Sequence, residues 1–368
     1  MQNLKPLVTS SRYTAIVLCS AFVHLGGLPP KHLLLNLHSQ LKKFPNIPVF
    51  LITDKPENFK KIDSNIIVFK YARSEQHKSI FINLDDKFRK GFWVLTIERL
   101  FALNQFHKSN PSLRILHIES DVILFPNFPW LKFLEQEKLA WGLYNKNHDV
   151  AALLYTPNPT ETNFLVSELE FILSKENQIT DMTALSIVRI KNQERITILP
   201  SFANSNSIMV NMNSSITQSE KLLASSMTDH FAGVFDNLAL GVWLTGFDPR
   251  NSFGFTIVRT KELFITGDSY LDPQMSKFER NSQDRIFVIS DNEKTELFSL
   301  HVHSKNLKLF SPNWQRELDK LISYENRKIH KFSSTILFKL IIVNLRQKTL
   351  IRFLLAVPML SKLKKFKK

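Results

Sequence analysis

Two acids one residue apart interrupt an otherwise apolar stretch, RILHIESDVILF (114–125): Glu119 and Asp121 follow Ile115, Leu116 and Ile118 and precede a return to apolar residues through Phe125. Carboxylates are costly in a core unless they are paired, hydrogen-bonded or bound to a metal. On an extended chain, residues i and i+2 face the same side. The pair therefore predicts a seat for a hard divalent cation such as Mg²⁺ or Mn²⁺. A strand ending in a solvated acidic turn is the plainer alternative. Far downstream, LHVHSK places His301 and His303 two residues apart, with Lys305 two further on. Imidazole ligates transition metals and lysine pairs with phosphate, whereas two exposed histidines on a strand edge would need neither. Asp181 in ITDMTAL and Asp236 in VFDNLALG stand at helix starts. Each is a candidate acid for catalysis, and helix capping accounts for either, most simply for Asp236. GFDPRNSFG is a tight turn in which Arg250 could face an anion.

These residues need elements to hold them. YTAIVLCSAFV (13–23), IPVFLITD (47–54) and NIIVFKYA (65–72) are strand-like, and PPKHLLLNLHSQLKKF (29–44) is helix-like with two prolines at its start. In GFWVLTIERLFALNQFHK (91–108), Trp93, Ile97, Leu100, Leu103 and Phe106 recur at helical spacing. Alternating strands and helices predict an α/β fold: a mostly parallel central sheet with helices on its faces. Ligands of such sheets bind beyond the carboxyl ends of the strands, where Asp54, Glu119 and Asp121 all fall. The middle of the chain is mixed: a turn and helix over 156–175, strand-like pieces and Asn/Ser-rich turns over 196–215, and a short helix with a Gly/Pro/Asn turn over 235–254. A further strand and its exit occupy 296–310.

With 368 residues, 43% of them apolar, the chain can bury a real core. Thirty phenylalanines against nine glycines exclude a fibrous or disordered protein. The single cysteine, Cys19, rules out an intramolecular disulfide and is expected to be a buried thiol, consistent with a reducing compartment. No signal-peptide layout opens the sequence, and no apolar run is long enough to span a bilayer. The formal charge of +15 is concentrated: 326–368 holds twelve Lys/Arg and no Asp/Glu, leaving 36 basic and 33 acidic groups in the other 325 residues. A near-neutral body argues against a nucleic-acid-binding surface. The sequence thus divides into a body, 1–325, with halves about 1–140 and 141–325, and a basic tail, 326–368.

The order of these motifs resembles the GT-A-fold glycosyltransferases, which use nucleotide-sugar donors. HIESDVIL looks like their D-x-D-type motif, with Glu119 in place of the first Asp and Asp121 as the last acid. HVHSK looks like their C-terminal histidine and lysine, with either His301 or His303 as metal ligand and Lys305 on a phosphate. FWVLTIERLFAL resembles the helix just upstream of the motif, and TDMTAL the acidic acceptor-side motif. Over residues 13–310 the resemblance implies a GT-A-like fold and Mn²⁺ or Mg²⁺ held by Glu119, Asp121 and a histidine. It implies nucleoside contact at Asp54, and Asp181, with Asp236 as a further candidate, acting on an acceptor hydroxyl. A metal-dependent phosphoesterase with the same acids, and a non-catalytic membrane-surface protein, are the competing readings.

The tail, STILFKLIIVNLRQKTLIRFLLAVPMLSKLKKFKK (334–368), mixes apolar runs with Lys and Arg alone. It is expected to form a basic amphipathic helix in an anionic membrane interface, on the cytoplasmic face. Packing back on the body is the alternative. A lipid-linked or surface glycan would suit a transferase placed there. The membrane expectation predicts co-sedimentation of the purified chain with anionic vesicles, weakening as salt is raised. No binding at physiological salt would sink it.

Overall fold

The computed structural model describes residues 8–9, 16–81, 84, 91–176, 179–201, 216–246, 270, 273, 276–290 and 293–329. The chain divides into two compact units, Met1–Ile322 and Ser323–Lys368. Arg250 and the tail from 330 onward lie outside the described residues. No helix among the described residues is long and apolar enough to cross a membrane.

In chain order the strands are β1 (Val8–Thr9), β2 (Ile16–His24), β3 (Val49–Thr53), β4 (Ile66–Lys70), β5 (Leu113–Ile118), β6 (Val122–Leu124), β7 (Leu139–Asn145), β8 (His148–Thr156), β9 (Ile196–Leu199), β10 (Lys277–Arg280), β11 (Ile286–Ser290), β12 (Glu293–Leu297) and β13 (Ser299–His301). The helices are α1 (Lys31–Lys43), α2 (Glu75–Ile80), α3 (Phe92–Ser109), α4 (Trp130–Leu134), α5 (Pro159–Lys175), α6 (Asp181–Lys191), α7 (Gln218–Phe231), α8 (Ala239–Thr245) and α9 (Trp314–Ile329). The central sheet has the order β4-β3-β2-β5-β8-β7-β9, with β1 added antiparallel to β2. Among the described residues four of its pairings are parallel (β2·β3, β2·β5, β3·β4 and β7·β9), and β1·β2, β5·β8 and β7·β8 run the other way. The expected mostly parallel α/β sheet with flanking helices is thus the fold.

Alternation along the strands explains the layers. Leu18 and Phe22 of β2, with Val49 and Leu51 of β3, join one core with Leu33 and Leu37 of α1. Cys19 and Ala21, with Phe50 and Ile52, face the other core with Leu100, Leu103 and Phe106 of α3. A two-residue period sends successive side chains to opposite faces, so both faces of the sheet are covered and the strands read as continuous apolar runs. Cys19 is buried and free, as expected, and its burial pushes the thiol pKa up.

Residues 276–301 build structure that the sequence left vague. Strands β10, β11 and β12 form an antiparallel meander, and β13 leaves it to pair antiparallel with β6. That last pairing sets His301 opposite Val122.

His107 ties the far side of the sheet together. Its Nε2 donates to the Leu113 carbonyl at 2.8 Å, and its Nδ1 lies 2.6 Å from the Thr162 hydroxyl on α5. Burial lowers its pKa to about 4, whereas an unfolded histidine titrates near about 6.5. Its contribution to stability is complete above about pH 6.5 and is lost as the pH falls towards about 4, because the unfolded chain takes up the proton first. The urea midpoint is therefore expected to drop between about pH 7.5 and about pH 5, and to drop less in His107→Asn. Equal drops in the two proteins would show that His107 has no part in acid sensitivity.

Candidate functional site

The acids of the first motif do not lie on an extended strand. Strand β5 ends at Ile118 and β6 begins at Val122. Glu119, Ser120 and Asp121 turn between them, closed by the Val122 N–H on the Glu119 carbonyl at 3.1 Å. The turn is fastened from outside. The Asn36 side-chain amide of α1 donates to the Ser120 and Val122 carbonyls at 3.2 and 2.7 Å, and the His32 ring lies 3.2 Å from the Ser120 hydroxyl. Both carboxylates nevertheless face one place, because the β6·β13 pairing brings a histidine to meet them.

That histidine is His301. Its Nε2 lies 3.1 Å from Asp121 Oδ2 and 3.7 Å from Glu119 Oε2. One ligand atom each from Glu119, Asp121 and His301 can be chosen so that all three lie within 4.8 Å of one another, near enough for the three to hold one metal ion together. The other ring nitrogen, Nδ1, faces the Asn237 carbonyl at 3.2 Å. A carbonyl only accepts, so Nδ1 carries a hydrogen, and Nε2 is the ring nitrogen that faces the acids and would ligate a metal there. Two carboxylate oxygens and one imidazole nitrogen are a donor set that fits Mn²⁺ or Mg²⁺.

Strand β13 ends at His301, so His303 does not share its face. The His303 N–H donates to the His301 carbonyl at 2.8 Å, and the two rings stand 5.8 Å apart. The chain turns between them, so strand geometry does not extend to His303. Lys305 has a left-handed backbone (φ 56°) and donates from Nζ to Asp121 Oδ2. Lysine in that conformation is strained.

Asp181 opens α6, but Thr180 does the capping: its hydroxyl accepts the Thr183 N–H at 3.2 Å. This leaves the Asp181 carboxylate for Arg99 of α3, which donates to it at 2.9 Å. The other guanidinium nitrogen of Arg99 pairs with Glu119. Arg99 thus bridges the two acids, and its Nε is buried without a partner among the described residues. Burial raises the pKa of Asp181, with Arg99 opposing and Glu119 adding to it. For Glu119 burial also acts upward, but Arg99 and then His301 outweigh it and hold the carboxyl at about 2. The sequence reading passed over Arg99. Its signal was present: Glu98 and Arg99 are adjacent charges in the middle of an apolar helix, where each needs a partner.

Asp236 lies beneath the site. One carboxylate oxygen accepts the Leu240 N–H of the first turn of α8 at 3.1 Å, and the other accepts the His301 N–H at 2.8 Å. Burial pushes its pKa up to about 6 against the pull of His301. Asp236 is thereby placed as a support for β13. Asp54 stands apart at the exit of β3, where Oδ1 accepts the Gly26 N–H at 3.0 Å and braces the loop after β2.

No protein-family model matches the sequence, and no curated protein does. Among solved structures, an active-site mutant of LgtC is similar over 56% of this chain and 82% of its own, at 11% identity and a TM-score of 0.39. The galactosyltransferase LgtC in complex with donor and acceptor sugar analogues is similar over 50% of this chain and 73% of its own, at 12% identity and a TM-score of 0.36. Identity this low carries no residue roles from LgtC to this chain.

Gly241 lets α8 sit directly on β13. A β-carbon there would overlap the His301 backbone carbonyl and crowd Asp236 Oδ2. Because the obstacle is backbone, Gly241→Ala is expected to cost about 1–3 kcal/mol, read as a lower urea midpoint with an unchanged m-value. An unaltered midpoint would mean that β13 is not seated as described.

Proposed function

We propose that this chain is a metal-dependent glycosyltransferase of the GT-A type, moving a sugar from a nucleotide-sugar donor to a glycan or lipid-linked acceptor. The observation that supports it most is one convergence. Glu119, Asp121 and His301 meet at the carboxyl end of β5, Lys305 lies against Asp121, and Arg99 links Glu119 to a further acid, Asp181. In this reading Asp121, Glu119 and His301 hold Mn²⁺ or Mg²⁺. When bound, the ion supplies positive charge to the diphosphate as the bond to the sugar breaks.

The chain's own groups do the rest. Lys305 exchanges its contact with Asp121 for a donor phosphate oxygen, where an ammonium stabilises the leaving group. Asp181, raised in pKa by burial, orients an acceptor hydroxyl and accepts its proton. Arg99 fixes the separation of Asp181 from Glu119. Asp54 shapes the loop against which the nucleoside rests. Asp236 sets the height of His301 and takes no proton from substrate. Attachment of the tail to the cytoplasmic face of a membrane belongs to the same proposal and rests on sequence alone.

Thermal unfolding tests the donor site directly. A ligand that binds only the native chain raises the midpoint by mass action. UDP, GDP and CMP are each compared with and without Mn²⁺. One nucleotide is expected to raise the midpoint only when the metal is present, by roughly 5 °C at about a hundredfold excess over Kd. Asp121→Ala is expected to abolish the shift. Absence of any metal-dependent shift would sink the transferase reading, and metal-dependent hydrolysis of p-nitrophenyl phosphate would replace it with a phosphoesterase.

A further inference from the structure

Helix α1 touches two places. Its first turns hold the acidic turn through His32 and Asn36, and its last turn reaches a separate cavity of about 330 Å³. The cavity takes Leu35, His38, Ser39, Lys42 and Lys43 from α1, so it begins beside Asn36 and runs to the end of the helix, and its lining includes none of Glu119, Asp121 and His301. The volume lies at the low end of the range for small-molecule sites, about 300–1,000 Å³. One wall is the face of α1 that carries His38, Lys42 and Lys43, and the opposite wall is made by Phe310, Trp314 and Gln315.

Lys43 is the feature that calls for a ligand. Lysines in the last turn of a helix ordinarily complement the negative end of its dipole. Lys43 does something else. Its Nζ leaves its own helix and donates to the Leu124 carbonyl at 2.9 Å, with the Trp314 ring centroid 5.0 Å away. Neither of these partners is an anion. The acid that influences it, Asp284, is already engaged by Arg280 at 2.7 Å and by Gln315 at 3.1 Å. The Lys43 ammonium is half-buried with no acid of its own among the described residues, which is unfavourable for a charge, and its loss of hydration lowers its pKa to about 8.

We propose that this cavity is a binding site for a small organic anion, whose charged group is held by Lys43 and Lys42 and whose body lies against Leu35, Pro126 and Pro312. An anionic oxygen beside Lys43 supplies the missing counter-charge, and Lys42, exposed at the rim, adds a second ammonium. Leu35, Pro126 and Pro312 supply apolar surface for a ring or chain attached to the anion, over a floor of buried Phe310 and Trp314. Bare inorganic phosphate would leave that surface unused. The inference does not depend on the transferase proposal, since it uses none of the acid cluster.

The test uses the full chain in EDTA, so that a metal-dependent donor site is silent. Phenyl phosphate, glucose 6-phosphate and inorganic phosphate are added separately and thermal midpoints recorded. At least one of the two organic anions is expected to raise the midpoint saturably, by roughly 5 °C at about a hundredfold excess over Kd, with inorganic phosphate weaker. The shift should vanish in Lys43→Met and persist in Asp121→Ala. Lys42→Ala, at an exposed position that folding does not depend on, is expected to weaken binding about tenfold, measured by equilibrium dialysis. No shift with either organic anion overturns the proposal. So does a shift that survives both lysine substitutions, or one lost in Asp121→Ala, which would place the probe at the acid cluster. Inorganic phosphate binding as tightly as the organic anions would remove the role given to Leu35, Pro126 and Pro312.

Discussion

Placing Glu119 and Asp121 together at the end of a core strand carries a desolvation penalty of several kcal/mol per ion. Much of the surrounding fold offsets it. Arg99 arrives from α3, His301 from β13 and Lys305 from the turn that follows, each bringing a donor or positive charge to one carboxylate or the other. Arg99 is shared with Asp181, so the α6 terminus is drawn into the same electrostatic unit. The turn could not hold its shape as a loop alone. Asn36 takes two of its carbonyls, and β6 beyond it is locked to β13.

The strand pairing and the charge pairing support each other. His301 meets Asp121 because Ser299–His301 runs antiparallel to Val122–Leu124, and the Val302 N–H closes onto the Asp121 carbonyl at 2.8 Å. From the other side Asp236 accepts the His301 N–H, and Gly241 gives α8 the close approach that this bond needs. Asn237 fixes the ring, and a β-carbon at Gly142 would overlap the Asn237 side chain. A histidine so held is pre-organised, with its tautomer set by a carbonyl and its position by backbone.

Much of the sheet was legible from local pattern. The apolar runs that precede Asp54 and Glu119 are β3 and β5, and the period of Ile97, Leu100, Leu103 and Phe106 is the buried stripe of α3. These features depend on neighbours in sequence, which is why they can be read there. Where the local rule broke, a nonlocal contact was the cause. The E-x-D pair was expected to share a strand face and instead sits in a turn, because the Asn36 amide and the Glu119 carbonyl take up the backbone groups that would have continued the strand.

By itself, the sequence determined the α/β class, the basic character of 326–368, and a short set of chemically capable side chains: Asp54, Glu119, Asp121, Asp181, Asp236, His301, His303 and Lys305. Composition and periodicity suffice for that, since they record what each segment can bury and what it can ionise. Only the tertiary structure decided which of these groups meet. It set His301 beside Asp121, freed Asp181 by letting Thr180 cap, turned Asp236 into a backbone support, and brought in Arg99. The reason is distance along the chain: Asp121 and His301 are 180 residues apart. No local propensity encodes such a contact, which exists only when β6 and β13 have paired.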